Sequence, residues 1–331
     1  MRVMVAGDSD IGECRRSAKR LADGYEFDEV TAGRISIIAT ELATNIVRHA
    51  GRGEMLIQVL DDGMNPLLEL LAIDQGPGMG DVDACMHDGY SSGGTAGQGL
   101  GAVSRLSNTF DVFSIAGQGT VVLSRTQREG ARQEYSRSGF ELGAISIAVA
   151  GEIECGDTWR IAEGNAQVSM FVADGLGHGP LAASASQAAA VAFASRPFDE
   201  PSTAMQNIHR ALGGSRGAAA ACARLHLSEM RVDYAGVGNI SGAIVTRERS
   251  RGMVSHNGTL GVQLLRTQQF EYEWPRGSRV VMHSDGLSAR WSIGAYPGLH
   301  LRHSAVIAAV LYRDFVRRRD DVTVVVGCQR K

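Results

Sequence analysis

Residues 171–179, Phe171-Val172-Ala173-Asp174-Gly175-Leu176-Gly177-His178-Gly179, change character halfway. With Val168-Ser169-Met170 ahead of it, the apolar half reads as a buried strand. The aspartate closes that strand, and glycines open a tight turn. An Ala-rich run over 180–195 follows and reads as a helix. A strand that ends on an acidic corner and feeds a helix places a carboxylate at the edge of a sheet.

Three further acidic corners share this form. Asp157 stands in Cys155-Gly156-Asp157-Thr158-Trp159, Asp285 in His283-Ser284-Asp285-Gly286-Leu287, and Asp320 opens Asp320-Asp321-Val322-Thr323-Val324. Taken singly, such aspartates serve turns and helix caps. Four of them at strand ends point instead to convergence. Two like charges about 4 Å apart repel by about 4 kcal/mol at an effective dielectric of ~20, so converging carboxylates require cations. An all-oxygen donor set selects Mg²⁺ or Mn²⁺ over zinc. Two such ions about 3.5–4 Å apart can activate a water for in-line attack on a phosphate.

Outward from this core, 140–151, 168–175, 220–227, 231–238 and 278–286 read as strands, and 180–195, 202–213 and 303–318 as helices. Many strands with a few long helices suggest sheets in the middle and helices outside. Residues 126–139 are polar and charged without apolar periodicity, which marks a linker over 127–139 between a domain at 1–126 and one at 140–331.

The first domain reads as a compact α+β unit. Strands are expected at 2–6, 54–60, 67–73, 110–115 and 119–125, and helices at 9–22, 28–49 and 100–107. Within 28–49, Ile35, Ile38, Leu42 and Ile46 recur at three- and four-residue spacing and form one apolar face. Glu41 and Asn45 lie four apart on that helix and share a face. A carboxylate there can take a proton from an attacking hydroxyl, and an amide oxygen can hold Mg²⁺. Asp74-Gln75-Gly76-Pro77-Gly78 follows a strand, Gly97-Gln98-Gly99-Leu100-Gly101 runs into a helix, and Gly117-Gln118-Gly119-Thr120 precedes the last strand. Glycines let backbone N–H groups close on phosphates, and a helix N-terminus favours anions. Each piece alone is a weak signal, but the four in this order are specific.

The bulk numbers fit. A length of 331 residues suits two domains, and 44% hydrophobic with 21% charged residues is ordinary for globular proteins. A net charge of -3 argues against a dedicated nucleic-acid binder. No run of about 18 apolar residues predicts a membrane span, and the N-terminus is not a signal peptide. Cysteines 14, 85, 155, 222 and 328 form no CxxC pair, as expected of reduced thiols in a cytoplasmic protein.

At residues 1–126 the chain resembles the GHKL (Bergerat-fold) ATPases, and among them the small anti-sigma-factor serine kinases of the RsbT/RsbW/SpoIIAB type. The segment Glu41-Leu42-Ala43-Thr44-Asn45-Ile46-Val47-Arg48-His49-Ala50 matches that family's N box, and 89–106 has the look of its RsbT-like members. The resemblance implies an α/β sandwich that binds ATP. Asn45 would ligate Mg²⁺, Glu41 would act as base, and Asp74 would read the adenine amino group, supported by Gly76 and Gly78. Gly97, Gly99 and Gly101 would form the lid, and Thr120 would sit under the adenine. The implied substrate is a serine or threonine on a STAS-domain, anti-anti-sigma-type or RsbS-like partner, with a sigma-pathway regulator as a second possible partner. Related kinase domains can dimerise, which leaves a homodimer open.

Residues 140–331 resemble the metal-dependent PPM phosphatases of the SpoIIE/RsbX type through the segments at 155–159, 171–179, 282–287 and 320–326. The resemblance implies an α-β-β-α sandwich with two Mn²⁺ or Mg²⁺ ions. Asp174 and the Gly175 carbonyl would serve both ions, Asp157 one, and Asp285 and Asp320 the other, with water attacking directly and no phosphoenzyme. Larger eukaryotic relatives carry an acid just before the residue equivalent to Asp157. Here Gly156 stands there, which implies weaker binding of the second ion. No arginine near this domain's first strand matches the phosphate-gripping one of those relatives, so phosphate capture is expected to rest mainly on the metals. His178 is expected to shape its loop or serve as a general acid, and Asp321 to point outward or support a ligand.

These readings favour a bifunctional regulator of bacterial partner switching, kinase and phosphatase on one chain. One alternative is a phosphatase whose first domain is a nucleotide-binding docking module. Another is a non-enzymatic, anti-sigma-type sequestering protein.

Overall fold

In the computed structural model, which describes residues 1–60, 66–86, 99–128, 139–264 and 266–330, the chain divides into two units, Met1–Glu134 and Tyr135–Lys331. In the first unit, β1 (Arg2–Val5), β2 (Gly53–Leu60), β3 (Leu67–Asp74), β4 (Thr109–Ile115) and β5 (Gly119–Gln127) make one antiparallel sheet in the order β1-β2-β3-β5-β4. The helices are α1 (Asp8–Gly24), α2 (Glu29–Asn45), the short α3 (Val82–Met86) and α4 (Gly99–Leu106). At the start of α1 the Asp10 carboxylate accepts from the Ala6 and Gly7 N–H groups at 2.9 and 3.0 Å. At the start of α2 the Asp28 carboxylate accepts from Thr31 N–H at 2.8 Å. Both occupy backbone donors that helix starts leave unpaired. Ile35, Ile38, Leu42 and Ile46 pack with Met55 and Ile57 of β2 and Leu68, Leu70 and Ala72 of β3. The long helix expected over 28–49 is instead interrupted: α2 stops at Asn45, and Ile46–Ala50 widens into a π turn. Insertions of this kind cluster at functional sites.

The second unit holds two sheets. β7 (Asp157–Gly164), β8 (Gln167–Gly175), β9 (Ala218–His226) and β10 (Arg231–Val237) run antiparallel. β13 (Ser255–His256) and β14 (Phe270–Glu273) add to β10. The other sheet is antiparallel, in the order β12 (Ser250–Met253), β11 (Ser241–Val245), β15 (Arg279–His283), β16 (Val322–Gln329) and β6 (Phe140–Ile147). Strand alternation builds the layers. Val168, Met170 and Val172 of β8 meet Ile244, Val280, Met282 and Val325 of the other sheet. Phe171 and Ala173 point the opposite way, to α5 (Pro180–Ser195) and α6 (Pro201–Ala211). α7 (Ser304–Phe315) lies against β6 and β16. The result is the α-β-β-α sandwich.

The helix expected over 303–318 ends at Phe315, because Val316 turns extended (ψ 132°) and Arg318 takes a positive φ of 57°. The sequence reading does not anticipate β7, β11, β12, β13 and β14; the last three are short and carry few β-branched residues. Among the described residues no helix is long and apolar enough to cross a membrane. The five cysteines are free thiols. Gly97 and positions 129–138 of the expected linker lie outside the described residues.

Candidate functional site

In the first unit the sheet and α2 gather most of the expected residues. Asp74 ends β3, and its Oδ1 accepts from the N–H groups of Gly76 (2.8 Å) and Thr120 (3.2 Å). One carboxylate thereby ties the Asp74-Gln75-Gly76 corner to the start of β5. Thr120 Oγ1 lies 2.9 Å from Ser114 Oγ, and Ser114 Oγ accepts from Met79 N–H at 2.8 Å. Ser114 thus connects the loop after Asp74 to β4 and β5, a role with no signal in the sequence. Gly78 has φ +66°, and a Cβ there would lie 2.1 Å from the Ile115 carbonyl oxygen. Only glycine fits that turn.

Asn45 ends α2, one turn after the half-buried Glu41. A Cβ on Gly99 would lie 3.1 Å from Asn45 Oδ1, so the start of α4 abuts the Asn45 amide. Gly101 is buried in α4. A helix N-terminus beside an amide oxygen and a helix carboxylate suits a phosphate chain with its cation.

In the second unit the acidic corners lie within electrostatic range of Asp174. Asp157 and Asp174 are direct cross-strand partners of β7 and β8. Asp174 is pushed well above the usual carboxylate range, by burial first and then by the charges of Asp157, Asp285, Asp320 and Asp321. Asp157 is raised too, by burial first and by Asp321 and Asp320, against the lowering effect of its bond from Ser284. Asp320 is raised by burial, then by Asp285 and Asp321. Gly175 N–H donates to the Gly156 carbonyl at 3.0 Å, which holds the strand end that carries Asp174.

These carboxylates sit at the range of electrostatic interaction. Among the described residues no three acidic, histidine or cysteine side chains are drawn together tightly enough to form a ready-made cage. They nonetheless fit divalent cations. Asp157 is 3% exposed, and its Oδ1 is buried without a hydrogen-bond partner. A buried, unpartnered carboxylate oxygen near other carboxylates has to be neutralised by a proton or offset by a cation. The donors are hard oxygens, as Mg²⁺ and Mn²⁺ require.

Several supporting residues carry no signal in the sequence. Ser284 Oγ, fully buried, donates to Asp157 Oδ2 at 2.6 Å and accepts from Thr323 N–H at 2.9 Å. Asn239 Nδ2 donates to Asp285 Oδ2 at 2.7 Å. Asp321 is not outward: it is 2% exposed, and its two oxygens accept from Val149 N–H and Gly156 N–H, each at 2.7 Å. It clamps the loop that delivers Asp157. A Cβ on Gly156 would lie 2.6 Å from Asp321 Oδ2 and 2.9 Å from the Ala182 methyl. His178 Nδ1 pairs with Glu152 Oε1 at 2.6 Å on the exposed side of its loop, consistent with a loop-shaping role. Beside Asp285 a cavity of about 470 Å³ is lined by Asn239, Ser241, Gly252, Ser255, His283 and Trp291.

Known proteins align with each unit. The histidine kinase-like ATPase domain family matches residues 5–125, and the stage II sporulation protein E (SpoIIE) family matches 164–328. The serine/threonine-protein kinase RsbT of Bacillus subtilis (strain 168) is 37% identical over 120 residues, 36% of this chain and 90% of RsbT. The phosphoserine phosphatase RsbX of the same organism is 25% identical over 185 residues, 54% of this chain and 88% of RsbX. Among solved structures, one from work on the bacterial stressosome is 29% identical with a TM-score of 0.53, over 57% of this chain and 98% of that one. RsbX in complex with magnesium shares the fold at 21% identity and a TM-score of 0.51, over 58% of this chain and 96% of that one. The chain therefore belongs with the partner-switching regulators, as an RsbT-like kinase domain of the histidine kinase-like ATPase family followed by a SpoIIE-type PPM serine/threonine phosphatase domain.

Proposed function

We propose that this chain sets the phosphorylation state of a STAS-domain protein from both directions, in the cytoplasm. The observation that carries the reading is a buried carboxylate oxygen of Asp157 with no partner, on the cross-strand partner of Asp174, whose carboxyl also feels the charges of Asp285, Asp320 and Asp321. Two Mn²⁺ or Mg²⁺ ions held by Asp157, Asp174, the Gly175 carbonyl, Asp285 and Asp320 would offset that charge and supply Lewis acidity toward water and phosphate. Ser284 and Asn239 orient Asp157 and Asp285, and Asp321 fixes the loop. Water oxygen bonds to phosphorus, the bond from phosphorus to the serine or threonine oxygen breaks, and that oxygen takes a proton. The products are the free hydroxyl and inorganic phosphate. The cavity next to Asp285 leaves room for the polypeptide that carries the phosphorylated residue.

The first unit runs the opposing reaction. ATP with Mg²⁺ would be held by Asn45, Asp74, Gly76, Gly78, Gly97, Gly99, Gly101 and Thr120. Glu41 takes the proton of the attacking serine or threonine hydroxyl as its oxygen bonds to the γ-phosphorus, and ADP leaves. RsbT's activity as a serine/threonine kinase and the helix-borne Glu41/Asn45 pair support this reading over a docking module.

The test has two arms. The protein is incubated with γ-labelled ATP, Mg²⁺ and a candidate STAS protein. Label transfer that disappears in Glu41→Ala is expected, whereas no transfer would leave only a docking role. Separately, Mn²⁺-dependent hydrolysis of p-nitrophenyl phosphate is measured. Activity that survives the double change Asp174→Ala with Asp285→Ala would show the phosphatase site to lie elsewhere.

A further inference from the structure

Phosphate capture in the second unit does not rest on cations alone. We propose that Arg216, in the loop between α6 and β9, grips the phosphate group of the substrate; this rests on the phosphatase reading above.

The loop is fixed at its backbone. Ser215 Oγ donates to the Leu212 carbonyl at 2.7 Å, and Gly217 N–H donates to Ser215 Oγ at 3.0 Å. Leu176 N–H donates to the Gly217 carbonyl at 3.1 Å, which continues the β8–β9 pairing past Gly175 and Ala218. That register carries Arg216 alongside the turn that follows Asp174. Its Nη1 lies 3.2 Å from the position a Cβ on Gly177 would take, so the guanidinium rests against a residue without a side chain.

The charge pattern is unusual. Arg216 is exposed and makes no hydrogen bond or ion pair with any described residue. Yet Asp174, at the end of the strand from which the neighbouring turn departs, feels the charges of Asp157, Asp285, Asp320 and Asp321. The fixed loop sets the backbone of Arg216 beside the turn after Asp174 and leaves its donors open to solvent.

A phosphate monoester carries two negative charges and three oxygens. It needs donors from outside an acidic wall, and a guanidinium offers paired N–H groups matched to two phosphate oxygens. Held there, the same donors would also meet the charge that builds on those oxygens as water attacks.

The experiment uses the full chain with Mn²⁺ and two probes, p-nitrophenyl phosphate as substrate and inorganic phosphate as competitive inhibitor. Arg216→Ala should raise both KM and the inhibition constant about tenfold or more, the loss expected for a charge-assisted hydrogen bond. Arg216→Lys, which keeps the charge but not the fork, should fall between. The Mn²⁺ concentration for half-activation and the melting temperature should stay put, which a merely structural role would not predict. A parent enzyme that is active while Arg216→Ala keeps both constants would overturn the assignment alone. A parent enzyme with no Mn²⁺-dependent hydrolysis would remove the phosphatase reading and this assignment with it.

Discussion

Ser284 Oγ donates to Asp157 Oδ2 across 2.6 Å, although the two residues are 127 positions apart in the chain. The same hydroxyl receives the Thr323 N–H, so the orientation of Asp157 is set from β16. Ser284→Ala removes from a buried carboxylate and a buried amide the hydroxyl they share. The expected result is a loss of about 1–3 kcal/mol in stability and a ~10- to 100-fold weaker response to Mn²⁺, as seen when groups that orient metal ligands are removed. A Mn²⁺ titration of p-nitrophenyl phosphate hydrolysis reads this directly. An unchanged midpoint would mean that Asp157 does not depend on Ser284.

Proton binding gives a second prediction. Asp157, Asp174 and Asp320 all hold protons more tightly in the folded protein than in the unfolded chain. Their contribution to stability is complete below the ordinary carboxylate range and is lost as pH climbs through the raised folded values. In EDTA, the melting temperature of the second unit should therefore fall between about pH 5 and pH 8. Added Mn²⁺ should stabilise more at the alkaline end, where it displaces fewer protons. Asp174→Asn should melt higher than the parent in EDTA, yet gain nothing from Mn²⁺. A Mn²⁺ effect that is flat with pH, or that persists in Asp174→Asn, would count against a cation at this cluster.

The acidic corners were readable because each joins an apolar strand to a turn, a pattern local in sequence. Asp157, Asp174, Asp285 and Asp320 needed no partner to be noticed. Ser284, Asn239 and Arg216 act through pairings set by strand register, which no local pattern encodes. The sequence leaves Asp321 between two roles because its acceptors meet backbone N–H groups of Val149 and Gly156, and any sequence offers those. The π turn after Asn45 was hidden for a related reason: Ile46 continues the apolar spacing of α2, so the periodicity runs through the interruption.

Asp321 yields a third prediction. Each of its oxygens holds one backbone N–H at 2.7 Å. Asp321→Ala should cost about 3–6 kcal/mol if both charge-assisted bonds are lost, at about 1.5–3 kcal/mol each. Asp321→Asn keeps one acceptor oxygen and should lose roughly half as much. Urea unfolding of the two variants measures the difference. Equal and small losses would show that the clamp contributes little.

In the first unit, Gly78→Ala tests the corner after Asp74. Its Cβ would press on the Ile115 carbonyl at a φ that alanine disfavours. The strain should be about 1–3 kcal/mol, with weakened binding of a fluorescent ATP analogue and p-nitrophenyl phosphate hydrolysis preserved. Unaltered nucleotide affinity would separate this turn from the ATP site.

The space beside Gly156 has a consequence for how such a site can change over generations. The volume that an extra acid before Asp157 would need is already filled by the Asp321 carboxylate and the Ala182 methyl. Introducing that acid alone would evict the clamp before any ion arrived. Acquiring the larger donor set of distant relatives is therefore a paired substitution, with position 321 yielding as position 156 grows.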